Sequence, residues 1–153
     1  TMVKNVFKKL GKKQKNNKGF SLVELIVVIA IMAVLVGVLA PQLMKYVEKS
    51  REATDIQNCD SIASALKAYY ADKEDLTAAV TINVTKDGVA ETADTAVKDA
   101  GMHKTKLKGK NWTKITITYT PSQGSVTYAI VGGDDAYYKV DDSDNAKFIK
   151  KEK

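Results

Sequence analysis

Leu25–Ala40 runs for sixteen residues without a charge, and one carboxylate, Glu24, stands at its front edge. A run of that length is long enough to hide only in lipid or against other chains. Glu24 conflicts with a plain membrane span. A charge at the centre of a membrane helix costs roughly 2.5–3.5 kcal/mol, and less near the interface. The carboxylate therefore needs a neutralising partner. Just upstream stands Lys18-Gly19-Phe20. A cut between Gly19 and Phe20 creates an α-amino group one helical turn from Glu24.

The formal charge of +6 is unevenly placed. Residues 1–19 hold seven lysines and no acid. Residues 20–153 hold 17 basic and 18 acidic residues, a balance of −1. The basic character thus belongs to the leader and does not mark a nucleic-acid-binding domain. A nearly neutral remainder suits a subunit that packs against copies of itself, since high net charge opposes association.

Two simpler readings compete for the N-terminal segment. A secretory signal peptide has a basic n-region and an apolar core. Here the only small-residue exit is Val38-Leu39-Ala40, and Pro41 follows it directly. A single-pass anchor fits by length, with the lysines held on the cytoplasmic side. Neither gives Glu24 a task.

Phe20 to about Lys73 reads as one long helix, about 80 Å at 1.5 Å per residue. Beyond Pro41, apolar or small residues recur at steps of three or four, from Leu43, Tyr46 and Val47 through Ile56, Cys59, Ile62 and Leu66 to Tyr70. That is the helical period. Lys45, Glu48, Lys49, Glu52, Asp55, Asp60 and Lys67 are assigned to the opposite, solvated side. Pro41 has no N–H for the carbonyl of Gly37 and crowds it, so a kink or loosening is expected between Gly37 and Pro41.

Residues 74–111 read as a variable loop, with a short strand in Leu76–Thr85 and a short helix in Glu91–Ala100 stopped by Gly101. Four lysines, Lys104, Lys106, Lys108 and Lys110, mark a solvated loop or a contact with acids of a neighbour. From 112 to 150 the chain reads as three to four antiparallel strands. Trp112–Thr120 and Ser125–Val131 alternate apolar and polar residues around the turn Pro121-Ser122-Gln123-Gly124. Ala136–Val140 and Ala146–Ile149 are the third and fourth strands. Their apolar face needs a cover, and the stripe of the long helix supplies it, which makes an α+β fold.

No catalytic constellation is present, and the chain reads as a non-enzyme without a cofactor. His103 stands alone in a polar loop. Cys59 is the single cysteine, so no intramolecular disulfide is possible. Asp134, Asp135, Asp141, Asp142 and Asp144 lie in acidic turns, where Asp side chains bond their own backbone. Calcium is the sharper alternative, because it takes carboxylate oxygens from flexible loops. Asn83-Val84-Thr85 and Asn111-Trp112-Thr113 match the glycosylation sequon.

Lys18-Gly19-Phe20-Ser21-Leu22-Val23-Glu24, the charge-free run, Pro41 and the continuing amphipathic helix together resemble the prepilin signature of type IV pilins. The resemblance covers about residues 18–70. It implies a pilin-like α+β fold with three parts: a cytoplasmic leader 1–19, removed by a prepilin peptidase; a half-helix 20–46, in the membrane and then in a filament core; and a head 47–153. It implies cleavage between Gly19 and Phe20, N-methylation of Phe20, and pairing of Glu24 with the Phe20 amine of the next subunit. The family also loosens its helix before the proline, here between Gly37 and Pro41. The implied partners are further copies of the chain in a helical filament, the peptidase, and an assembly ATPase with its membrane platform. The implied location is the cytoplasmic membrane first and the cell surface later. Many Gram-negative pilins close a C-terminal loop with a disulfide, and this chain departs from them. Three functions remain open: a pilus subunit for adhesion, motility or aggregation; a pseudopilin of a secretion or DNA-uptake machine; and a membrane-anchored binding domain that never polymerises.

Overall fold

Helix α1, Leu22–Tyr70, carries the apolar run and continues through Pro41 without interruption. In the computed structural model, residues 19–73, 78–90 and 94–152 are described. The lysine-rich leader before Gly19 lies outside them, as do the first residues expected for the Leu76–Thr85 strand and for the Glu91–Ala100 helix. By contacts the chain divides into residues 1–43 and residues 44–153.

In the first unit, the apolar side chains of α1 from Leu22 to Leu39 are all exposed within the chain. Among the described residues, α1 is the one helix long and apolar enough to cross a membrane. Leu, Ile, Val and Ala dominate it, so every face of this stretch is apolar.

The second unit begins with the rear of α1. Strands β1 (Val80–Thr85), β2 (Gly88–Val89), β3 (Trp112–Thr120) and β4 (Ser125–Gly132) follow, with the short helix α2 (Thr95–Asp99) between β2 and β3. These strands form one antiparallel sheet in the order β2-β1-β3-β4. Ile82 faces Ile117, and Ile117 faces Tyr128. This row of apolar residues is buried against Cys59, Ile62, Ala63 and Leu66 of α1. The fold is thus α+β, a long N-terminal helix with an antiparallel four-stranded sheet. Asp94 caps α2 by accepting from the Ala96 N–H, and Gly101, at φ +71°, ends it.

Two expectations need correction. The sheet does not run through residues 112–150 alone. Val80, Ile82 and Val84 alternate over six residues and pair with β3 along their whole length, so the short strand expected within Leu76–Thr85 is β1, and it joins the main sheet together with β2. The expected third and fourth strands, β5 (Tyr138–Val140) and β6 (Phe148–Lys150), pair only with each other. The turn between them meets β4 through the Tyr128 N–H, which donates to the Asn145 carbonyl at 2.7 Å. The Phe148 ring also packs 4.7 Å from that of Tyr128.

The second correction concerns the helix face. Glu48, Glu52 and Asp55 are buried, whereas Leu43, Tyr46 and Val47 are exposed. The buried line on α1 runs 48, 52, 55, 59, 62, 66, 70. One helical face therefore changes from acidic to apolar along its length.

Candidate functional site

Gly19 and Phe20 precede the helix and are exposed. Ser21 caps it. The Glu24 N–H donates to Ser21 Oγ at 3.2 Å, and the Ser21 N–H donates to Glu24 Oε2 at 3.4 Å. This reciprocal capping box satisfies two N–H groups that a helix start leaves open. The Ser-x-x-Glu spacing was readable from the sequence, yet the charge pattern alone had drawn attention to Glu24. Among the described residues, Glu24 Oε1 accepts no hydrogen bond and no cation pairs with the carboxylate. The box also places the negative charge at the positive end of the helix dipole. Gly37 meets open space, and Pro41 stays inside the helix.

The rear of α1 holds a second polar arrangement, which sequence reasoning missed. Asp55 accepts from the backbone N–H groups of Lys108 at 2.8 Å and Gly109 at 2.7 Å, and from Trp112 Nε1 at 2.9 Å. Glu48 accepts from the Lys110 N–H at 2.6 Å. Glu52 accepts from Asn111 Nδ2 at 3.0 Å and from the Tyr137 N–H at 2.8 Å. No lysine ammonium takes part. Buried carboxylates are tolerated when hydrogen bonds satisfy them, and here backbone amides do so together with the Trp112 indole and the Asn111 side-chain amide. Burial pushes the Glu52 carboxyl above the usual glutamate range, against the hydrogen bonds from Asn111 and Tyr137. The legible signal was the 4-3-4-3 spacing from Glu48 to Ile62, which puts the acids on the same face as Cys59 and Ile62. Asn111 of the second sequon is committed to Glu52, while Asn83 of the first is exposed and accepts from Thr116 Oγ1.

The acidic turns are occupied by turn chemistry. Asp141 accepts from the Ser143 N–H and hydroxyl, which hold its carboxyl below the usual range. Asp144 accepts from the Ala146 N–H, with the same effect. Asp142 pairs with Lys139 at 2.7 Å, and Asp144 with Lys147 at 3.1 Å. Asp134 and Asp135 use their carbonyls, which accept from Lys151 Nζ and Asn111 Nδ2. Among the described residues, no three His, Cys, Asp or Glu side chains gather where they could share a metal ion. His103 is exposed, and Cys59 is fully buried with its thiol pushed up to about 12 by that burial.

Comparison with known proteins agrees with this N-terminal geometry. Residues 14–40 match the family model for the prokaryotic N-terminal methylation motif. A type IV major pilin protein, PilA of Myxococcus xanthus (strain DK1622), is 29% identical over 58 residues, covering 38% of this chain and 26% of PilA. A prepilin peptidase-dependent protein A of Clostridium perfringens (strain 13 / Type A) is 34% identical over 77 residues, covering 49% of this chain and 55% of that protein. The matches thus span about a quarter and about half of the relatives' own lengths. No solved structure matches the chain significantly. The motif and these likenesses support a pilin or pseudopilin.

Proposed function

We propose that the chain is a structural subunit of a type IV pilus. The observation that carries this reading is Glu24. It is the one charge in the exposed apolar stretch Leu22–Met44 of α1, it is fixed by the Ser21 box, and one of its oxygens is still open. Prepilin peptidase cuts after Gly19 and methylates the new Phe20 amine. Gly19 lets the backbone approach a peptidase site closely, because it has no side chain. The precursor spans the cytoplasmic membrane through residues 20–46, with the head 47–153 outside. Assembly machinery, an ATPase with a membrane platform, then moves the helix from lipid into a bundle of identical helices at the cell surface. There the amine of one subunit meets Glu24 of another. An unpaired charge in an apolar core is penalised and a matched pair is not, so the pair sets the register. A loosened helix between Gly37 and Pro41 would let subunits repack. The pseudopilin reading shares the motif but gains nothing from the turn at Asp141–Asp144, where the Asp141 and Asp144 carboxylates accept from their own turn.

The test separates pairing from capping. Glu24→Ala removes both roles, and Ser21→Ala removes only the cap, at a cost of about 1 kcal/mol to the helix end. Sheared filaments are quantified, with precursor and mature bands read on the same blot. Ser21→Ala should still assemble. Glu24→Ala should insert and be cut but fail to assemble, and wild-type subunits should not rescue its entry into fibres. Normal filaments from Glu24→Ala would refute the pairing role. Mass spectrometry of surface material should find a methylated Phe20 terminus, and an intact leader there would refute the processing step.

A further inference from the structure

Lys49, Tyr137, Tyr138, Lys150 and Lys151 line a recess of about 160 Å³ on the head. The fold fixes its walls. Tyr138 and Lys150 face each other across the β5–β6 pair, and the Lys151 N–H donates to the Tyr137 carbonyl at 2.8 Å. The Tyr137 N–H is tied to Glu52, three residues beyond Lys49 on α1. The Lys151 ammonium donates to the carbonyls of Gly133 and Asp134, the latter at 3.0 Å. The Lys49 ammonium stands 5.0 Å from the Tyr137 ring centroid and 5.8 Å from that of Tyr46. Carbonyls and ring faces orient an ammonium group without cancelling its charge. Glu48 and Glu52, on either side of Lys49 in the chain, are buried and accept from backbone N–H groups. Among the described residues, ion pairs occur at Lys139–Asp142 and Lys147–Asp144, and none at the recess. Three cations therefore share one small recess without a paired carboxylate.

Position selects the anion, and this step rests on the reading that residues 20–46 lie in the membrane. The stretch Leu22–Met44 is about 35 Å long at 1.5 Å per residue, enough to cross a hydrocarbon layer of about 30 Å. The headgroup region adds about 5–7 Å on each side. Lys49 follows Met44 by five residues, about 7–8 Å further along the same helix, so the recess opens at about headgroup depth. Tyr46, Tyr137 and Tyr138 suit that depth, because tyrosine rings collect at membrane–water interfaces. A phosphate of the bilayer is tethered there by its own acyl chains, which raises its effective concentration at the recess. An acidic segment of a soluble partner gains no such advantage. We propose that the recess of Lys49, Lys150 and Lys151 holds the headgroup phosphate of an anionic phospholipid while the precursor sits in the membrane. The lipid then bridges α1 to the β5–β6 pair and seats the head on the membrane surface until assembly withdraws the helix.

The experiment uses the full chain in non-ionic detergent, with the seven leader lysines changed to Gln so that they do not contribute. Phosphatidylglycerol or phosphatidylcholine is added to the micelles, and bound lipid per chain is counted by native mass spectrometry. Phosphatidylglycerol should bind about five-fold more tightly than phosphatidylcholine, whose choline would meet three ammonium groups. Lys49→Gln with Lys150→Gln should weaken phosphatidylglycerol about five-fold, with Trp112 fluorescence confirming that the head stays folded. If that pair unfolds the head, Lys49→Gln alone should still lose about two-fold. Lys151 is left in place because its ammonium also braces the Gly133 and Asp134 carbonyls. The control Lys45→Gln with Lys67→Gln removes equal charge from exposed positions and should change affinity less than two-fold. Inorganic phosphate and a tetra-glutamate peptide, each at the lipid's concentration, should displace little of it. The proposal is overturned if the recess variant binds normally, if the control loses as much, or if the two lipids bind alike. Displacement by inorganic phosphate would mark a free-anion site, and displacement by the peptide an acidic protein partner; either overturns it. Alkaline carbonate extraction of wild-type membranes tests the span separately. A chain that washes off refutes the membrane reading and the recess with it, whereas a chain that stays, with a recess variant that binds normally, refutes the recess alone.

Discussion

Replacing Asp55 by alanine should be among the most damaging single changes in residues 44–153. Asp55 is 1% exposed and accepts from three donors. Gly109 and Trp112 are buried, so their N–H groups have no route to water without rearrangement. Each orphaned donor costs about 1–3 kcal/mol. Lys108 is exposed, and its N–H recovers part of its loss from solvent. Removing the carboxylate also returns its own desolvation cost. Breaking a buried charged network from one side typically costs about 3–5 kcal/mol, and that is the expected loss here. Domains of this size are stable by about 5–15 kcal/mol, so the change takes a large share. The chain has one tryptophan, and it is fully buried beside Asp55, so its fluorescence reports directly on the site. In urea, with a slope near 2 kcal/mol/M, the midpoint should fall by about 1.5–2.5 M. Asp55→Asn is the sharper variant. Its amide keeps one acceptor and turns an NH2 group towards donors, so it should be nearly as damaging as alanine. A loss below about 1 kcal/mol for Asp55→Ala, or wild-type stability for Asp55→Asn, would refute the acceptor role assigned to this carboxylate.

Three further outcomes follow from the same region. Gly109→Ala would put a methyl 2.8 Å from Trp112 Nε1 and 3.1 Å from Asp55 Oδ2, so it should cost about 1–3 kcal/mol by urea unfolding, while an alanine at Gly37, which meets open space, should not destabilise. Cys59 should resist thiol reagents at neutral pH until the chain unfolds, because it is fully buried and its thiol is pushed up to about 12; a fast native reaction would contradict the packing. The folded state holds a proton on Glu52 more firmly than the unfolded state does, so its contribution to stability is largest at acid pH and declines as pH rises through and above the ordinary glutamate range; relative to Glu52→Gln, wild type should lose stability as pH rises from that range, and parallel pH curves would sink this assignment.

The helix and its N-terminal signature were legible because both are local. Sixteen charge-free residues, a cap and a lone carboxylate need no knowledge of tertiary structure. The core residues of β3 and β4 were legible from alternation, and Ile115, Ile117, Tyr119, Val126 and Tyr128 are indeed buried. The partner of β3 was not legible. Val80–Thr85 lies about thirty residues away, and nothing in its own pattern says which strand it joins. Glu48, Glu52 and Asp55 were misplaced because a carboxylate on a helix ordinarily marks the wet face. Backbone amides of residues 108–110 and of Tyr137, with the side chains of Asn111 and Trp112, make their burial tolerable, and backbone amides leave no trace in side-chain identity.

That last point bears on how this surface can change over generations. The strap formed by residues 104–110 is held by its own main chain, a feature every residue type except proline brings with it. Only Leu107 and Gly109 are pinned by what surrounds them. The four outward positions are therefore nearly free of any folding constraint, and they can pass from basic to neutral to acidic while the anchor beneath stays the same. Variation in what this chain shows to its surroundings would then concentrate at 104, 106, 108 and 110, while Asp55 and Gly109 hold still.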